Sequence, residues 1–309
     1  MLSTISALGP IFLMIGVGYV LRHHTPMPAK AWLIPEKLSF YVFIPSLIVH
    51  KLSTTSLGEI EAGSLATAMV GGVLALALLL VVLRKPLCRI GHFEGPGFTS
   101  VFQGATRSNF FISLVAIDAV IGHDGTVRAI IGFALLPPLS NVLSVVALAR
   151  YAGETPADAK TILSILAKNP FIYAGIVGVT LNLTGVGSPP VVGPALALLS
   201  LAALPVALVC VGSGLDFSKL RGGGRGVIMG VALKLAILPA IVFVICRILG
   251  MDALDTAVAV IFHTPPAAAV SYVMARQMGG DYTMMAGILT LQMALAAVTI
   301  PAIILMVTP

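Results

Sequence analysis

The stretch QGATRSNFFIS, residues 103 to 113, sets a guanidinium, two side-chain amides and several hydroxyls inside an otherwise apolar run. Arg107 offers a permanent positive charge and a planar fork of donors, the chemistry that grips carboxylates and phosphates. Gln103, Ser108 and Asn109 crowd around it with further hydrogen-bonding groups. A second apolar run carries His263, Thr264, Pro265 and Pro266 in sequence. Its two prolines remove two backbone donors in mid-run, which predicts an interrupted helix. Arg107, Asn109, Ser108, Gln103, Thr264, Pro265 and Pro266 are therefore the candidate substrate-binding residues. His263, whose unperturbed imidazole titrates near neutral pH, and Lys234, Asn141 and Gln292 are candidates for proton coupling or for support of the site. The deep charges are both cations and no Asp or Glu falls mid-run, which suits an anionic ligand and argues against a cation antiporter.

The elements that would hold these residues are membrane helices. Only 10% of the 309 residues are charged and 58% are hydrophobic, against about a quarter charged in a soluble domain, and the mean hydropathy is +1.05. Apolar runs of membrane-spanning length recur from end to end. Ten spans are expected, near 3–22, 32–50, 64–84, 97–120, 126–149, 163–183, 191–214, 226–249, 253–276 and 282–307. Arg107 then lies about 15 Å into the fourth span, at 1.5 Å per residue, near the middle of a hydrocarbon core about 30 Å thick. A charge there costs at least about 2.5–3.5 kcal/mol, and irregular backbone at that depth survives only where protein or water covers it. The first span lacks a basic leader and an Ala-x-Ala site and is expected to be retained.

Lys and Arg crowd the loops after the odd-numbered spans, among them Arg22, Arg84, Lys85, Arg150, Lys160, Lys168, Lys219, Arg221 and Arg276. The opposite loops carry Lys51, Arg128 and Arg247. The positive-inside rule makes the odd loops cytoplasmic and both termini extracytoplasmic. The same asymmetry accounts for the net charge of +6 without any nucleic-acid partner.

The two halves resemble each other. Pro10 matches Pro170, Gly18 matches Gly178, Leu21 matches Leu181 and Pro45 matches Pro205, each at an offset of 160 residues. That offset also carries the Arg107 region onto the Thr264-Pro265-Pro266 segment. Five spans per repeat is an odd number, so the second copy would run inverted. Inverted repeats with interrupted helices at matching positions are an architecture of secondary transporters, with the site near the midplane. The expected fold is an all-α polytopic membrane protein. It has two inverted five-helix repeats, residues 1–150 and 163–309, joined by a cytoplasmic connection at 151–162, with broken, crossing helices 4 and 9.

Several alternatives fail on spacing. Cys88, Cys210 and Cys246 have no metal or redox spacing. RGGGRG at 221–226 is not a phosphate loop, lacking a following Lys-Ser/Thr. Asp281 in MGGDY has no partner aspartate within a span, and no nucleophile–base pair shares one depth, so no enzyme, metal or cofactor is expected.

The stretches LSFYVFIPSLI (38–48), FQGATRSNFF (102–111), NPFIYAGIVGV (169–179), ALPVALVCVGSGL (203–215), KLAILP (234–239) and PPAAAVSYVMARQMGGDYTMMAGILTLQ (265–292) together resemble the auxin efflux carrier family of permeases. The likeness is to its compact bacterial branch, often labelled malonate or malate transporter-like. It implies a scaffold subdomain, a transport subdomain and an anion site where helices 4 and 9 cross. It also implies a carboxylate contact at the position of Asn109. Unlike many members, this chain has no proline after the asparagine segment. The expectation is a carrier of a small organic anion, a mono- or dicarboxylate, in a bacterial-type inner membrane. Its partners would be that anion, the lipid bilayer and protons or sodium as a coupling ion, with a homodimer left open. The alternative is a non-transporting membrane sensor that uses the same pocket.

Overall fold

The computed structural model describes residues 2–54, 62–152, 163, 167, 170–214, 224–268 and 270–308, and every regular element among them is a helix. Hydrocarbon offers no hydrogen bonds to an open backbone, so an apolar chain must satisfy its own N–H and C=O groups by coiling. Seven helical stretches are long and apolar enough to cross a bilayer: Lys30–Thr54, Gly63–Val82, Gly95–Ile121, Asp124–Tyr151, Val192–Cys210, Gly224–Ile248 and Tyr282–Val307. Three further apolar helices accompany them, Leu2–His24, Pro170–Leu183 and Ala253–His263. Residues 153–162 of the expected connection, and the loop cations Lys160, Lys168, Lys219 and Arg221, lie outside the described residues.

Side-chain caps start helices where the chain turns. Asp252 accepts from the Asp255 N–H at 2.7 Å, and Asp281 accepts from the Met284 N–H at 2.8 Å, each satisfying a donor the helix leaves open. Proline alone does not decide continuity. His123–Tyr151 runs unbroken through Pro137 and Pro138.

The helices pack as two groups. Leu2–His24, Lys30–Thr54, Pro170–Leu183 and Val192–Ser213 pack chiefly on one another. The remaining helices form the second group, which holds both interrupted stretches. Close backbone approach builds the first group. A Cβ placed on Gly18 would meet Val209 O at 2.0 Å, and one on Gly178 would meet Leu52 Cβ at 2.8 Å and Val49 Cα at 3.2 Å. Gly178 follows Gly18 by 160 residues, and Val209 follows Val49 by the same 160. One helix–helix contact is thus made twice, with the partners taken from opposite halves.

In the second group the helix Gly224–Ile248 carries a π-helical turn at Leu233–Ile237, which includes Lys234.

Candidate functional site

The first interruption falls at Arg107 to Asn109. Gly95–Thr106 ends there, Arg107 leaves the helical region at φ −87°, ψ 142°, and Phe110–Ile121 resumes. No proline is involved. The Asn109 side chain caps the helix that resumes, its Oδ1 accepting from the Ile112 N–H at 3.3 Å.

The second interruption begins at Thr264, after Ala253–His263, and Val270–Gln277 follows it. Pro265 and Pro266 have no N–H to offer the carbonyls of Ile261 and Phe262, four residues back. Other donors fill the gap. The Thr264 N–H turns back to Ile261 O at 3.2 Å, and Ser113 Oγ, from the helix after the first break, donates to Phe262 O at 2.7 Å. Each of these buried carbonyls thus finds a replacement donor, as a water-free interior demands.

The two breaks touch. The Asn109 N–H donates to Pro266 O at 2.7 Å. Around this link lies a shell of buried polar side chains. Arg107 is 4% exposed, and Gln103, Lys234, His263, Thr264 and Gln292 are 0% exposed.

Arg107 is held by neutral acceptors. Its Nη1 donates to Asn141 Oδ1 and Ser144 Oγ, both at 3.3 Å, and to Met274 Sδ at 3.0 Å, while Nε is buried without a partner. Ser144 in turn donates to Ser140 O at 2.6 Å. Lys234 Nζ donates to Ser108 Oγ. Neither cation meets a carboxylate among the described residues, where the one ion pair is Arg128 Nε to Asp255 Oδ1 at 2.6 Å, well away from the breaks.

Gln292 is a three-way brace. Its Oε1 accepts from the Ala267 N–H at 2.8 Å, and its Nε2 donates to Gly104 O at 2.9 Å and Gly230 O at 3.0 Å. It thereby ties the second break to the end of the Gly95–Thr106 helix and to the helix bearing Lys234. Gln103 is the opposite case: both its amide atoms are buried with no hydrogen-bond partner. His263 Nδ1 pairs with Ala259 O at 2.8 Å, and Thr264 Oγ1 donates to Val260 O at 2.9 Å, so both bond back into their own helix.

The structure therefore brings together Arg107 with Asn141, Ser108 with Lys234, Asn109 with Pro266, and Gln292 with the residue after Pro266. Gln103, His263 and Thr264 are buried at the helix ends but make no side-chain bond to the other candidates. Ser113, Ser144 and Met274 join the site without having been singled out in the sequence. Ser140, Asn141 and Ser144 do share one helical face by spacing, a signal that could have found Ser144. Chemically, the breaks gather the starts of Phe110–Ile121 and Val270–Gln277, helix ends that favour negative charge, beside a guanidinium that no carboxylate neutralises among the described residues.

Comparison with known proteins agrees with this membrane architecture. An uncharacterized transporter of Methanothermobacter thermautotrophicus is 24% identical over 296 residues, covering 94% of each chain. Residues 156–304 match the family described as membrane transport protein. With its series of apolar helices the chain is a multi-pass membrane protein, and its residues 156–304 are similar to the membrane transport protein family, the auxin efflux carrier family.

Proposed function

We propose that the protein is a secondary transporter that carries a small organic anion, a mono- or dicarboxylate, across the cytoplasmic membrane by alternating access around its two broken helices. The observation that carries this reading is the buried Arg107, which meets no carboxylate among the described residues, beside the Asn109–Pro266 link. A charge held so deep costs several kcal/mol unless something offsets it, and a carboxylate entering at the two helix starts would do so. Arg107, Asn109, Ser108 and Gln103, with the backbone of Thr264, Pro265 and Pro266, form the substrate site in this reading. Asn141 and Gln292 support it.

Ten spans in two inverted repeats supply the movement. The helices Leu2–His24, Pro170–Leu183 and Ala253–His263 add to the seven long ones, and the mirrored contacts Gly18–Val209 and Gly178–Val49 support a duplicated, inverted origin. The division into two packed groups suits a motion of the break-bearing group against the other. The transporter named above, similar over nearly its whole length, points the same way.

The test is ligand-induced thermal stabilisation across a panel of mono- and dicarboxylates, then flux of the stabilising compound in reconstituted vesicles. Transport should vanish in Arg107→Ala and in Asn109→Ala while the proteins still fold. Unchanged transport in both variants would remove the site from these residues. Binding without flux would favour a sensor.

A further inference from the structure

The partners of Arg107 are unusual for a buried guanidinium. Charge-assisted N–H···O bonds run at about 2.7–2.9 Å, whereas both oxygen acceptors of Arg107 lie at 3.3 Å. The nearest acceptor is a thioether, Met274 Sδ at 3.0 Å, which is among the weakest acceptors a protein offers. All three bonds use Nη1, and the buried Nε uses none. The guanidinium is thus positioned but far from satisfied.

Met274 comes from the other break. It lies on Val270–Gln277, the half-helix that follows the second interruption. An eight-residue helix holds its place by tertiary contacts rather than by its own propensity, and the Arg107–Met274 contact is one that spans the two breaks. Met274 is also only partly buried, and its unbranched, flexible side chain can swing aside at little steric cost.

Resting on the transport reading above, we propose that Met274 is the resting occupant of Arg107. Its sulfur holds the guanidinium in the empty site and yields to the carboxylate of the substrate. The exchange replaces a weak neutral acceptor with a bidentate, charge-assisted one. It also unfastens Val270–Gln277 from the first break, which links substrate entry to movement of that half-helix. Met274 is in this sense a positioning residue that sets both affinity and the resting state.

Two variants and a cycle test it, with acetate, malonate and succinate as probes. Met274→Leu keeps the volume and removes the acceptor, so the carboxylate no longer competes with sulfur. Its Kd for whichever probe binds wild type should fall about three- to tenfold, the range set by one modest hydrogen bond. Met274→Glu places a tethered carboxylate on Arg107, and probe binding should be lost. Weaker binding in Met274→Leu, or wild-type binding in Met274→Glu, would overturn the proposal. A ligand-free double-mutant cycle tests the pairing independently: Met274→Glu should raise resistance to unfolding when Arg107 is present and lower it in an Arg107→Ala background. Equal effects in both backgrounds would refute the pairing itself. If no carboxylate binds wild type, the transport reading fails, and the Arg107–Met274 pairing stands or falls on the cycle alone.

Discussion

Replacing the two fully buried glutamines by leucine, one at a time, should have unequal consequences for stability. Gln292→Leu strips partners from three buried backbone groups, the Ala267 N–H and the carbonyls of Gly104 and Gly230. Leaving a buried group unsatisfied costs about 1–3 kcal/mol in proteins generally. Interhelical hydrogen bonds within membranes average only about 0.6 kcal/mol and reach about 1.7. Three such losses come to about 2–5 kcal/mol. Gln103→Leu removes two amide atoms that have no partner to lose, and it replaces a desolvated polar group with an apolar one. Its stability should stay within about 1 kcal/mol of wild type, or rise. The assay is reversible unfolding in mixed micelles with increasing dodecyl sulfate, both variants measured beside wild type. Equal losses, or a larger loss for Gln103→Leu, would contradict these assignments. If Gln103 serves the substrate, as proposed, Gln103→Leu should also lose carboxylate-induced stabilisation while remaining folded.

Other outcomes follow from single contacts. Ser113→Ala leaves Phe262 O without the donor that replaces the Pro266 N–H and should cost about 1–2 kcal/mol, read in the same unfolding assay. Gly18→Leu and Gly178→Leu should each cost about 1–3 kcal/mol or prevent folding, because the added Cβ meets a neighbouring helix. Gly16→Leu, where nothing lies within 4 Å, should fold as well as wild type, which makes it the control. Asp252→Ala removes the cap on Ala253–His263 and should cost about 1 kcal/mol. Arg128→Ala, which breaks an ion pair of partly exposed side chains, should cost no more than about 1 kcal/mol, with a difference from wild type that shrinks as salt rises.

What could be read from sequence was what polarity makes conspicuous. Arg107, Asn109 and Lys234 stand out because a charge or amide in an apolar run needs a reason, and the structure gathers them about the two breaks. The paired prolines at 265–266 signal an interruption, yet Pro137 and Pro138 carry the same signal through a continuous helix. The difference lies in what else can satisfy the freed carbonyls and where the chain must go, and neither is local. The first break contains no proline at all, and Asn109 caps the helix that resumes after it. Ser113 and Met274 were invisible because their roles depend on which helices cross, and a serine or methionine in a span is ordinary. The brace at Gln292 was legible only as a polar residue in mid-span, since its three partners come from three separate stretches of chain.

Whether an anion crosses the membrane through the site where the breaks meet can be measured by counterflow in proteoliposomes. Labelled mono- and dicarboxylates are placed outside, with the same unlabelled compound inside. Wild type should show saturable exchange of at least one carboxylate, lost in Arg107→Ala and in Asn109→Ala and retained in Arg128→Ala. No exchange of any carboxylate by folded wild type, or undiminished exchange by both site variants, would contradict transport through this site.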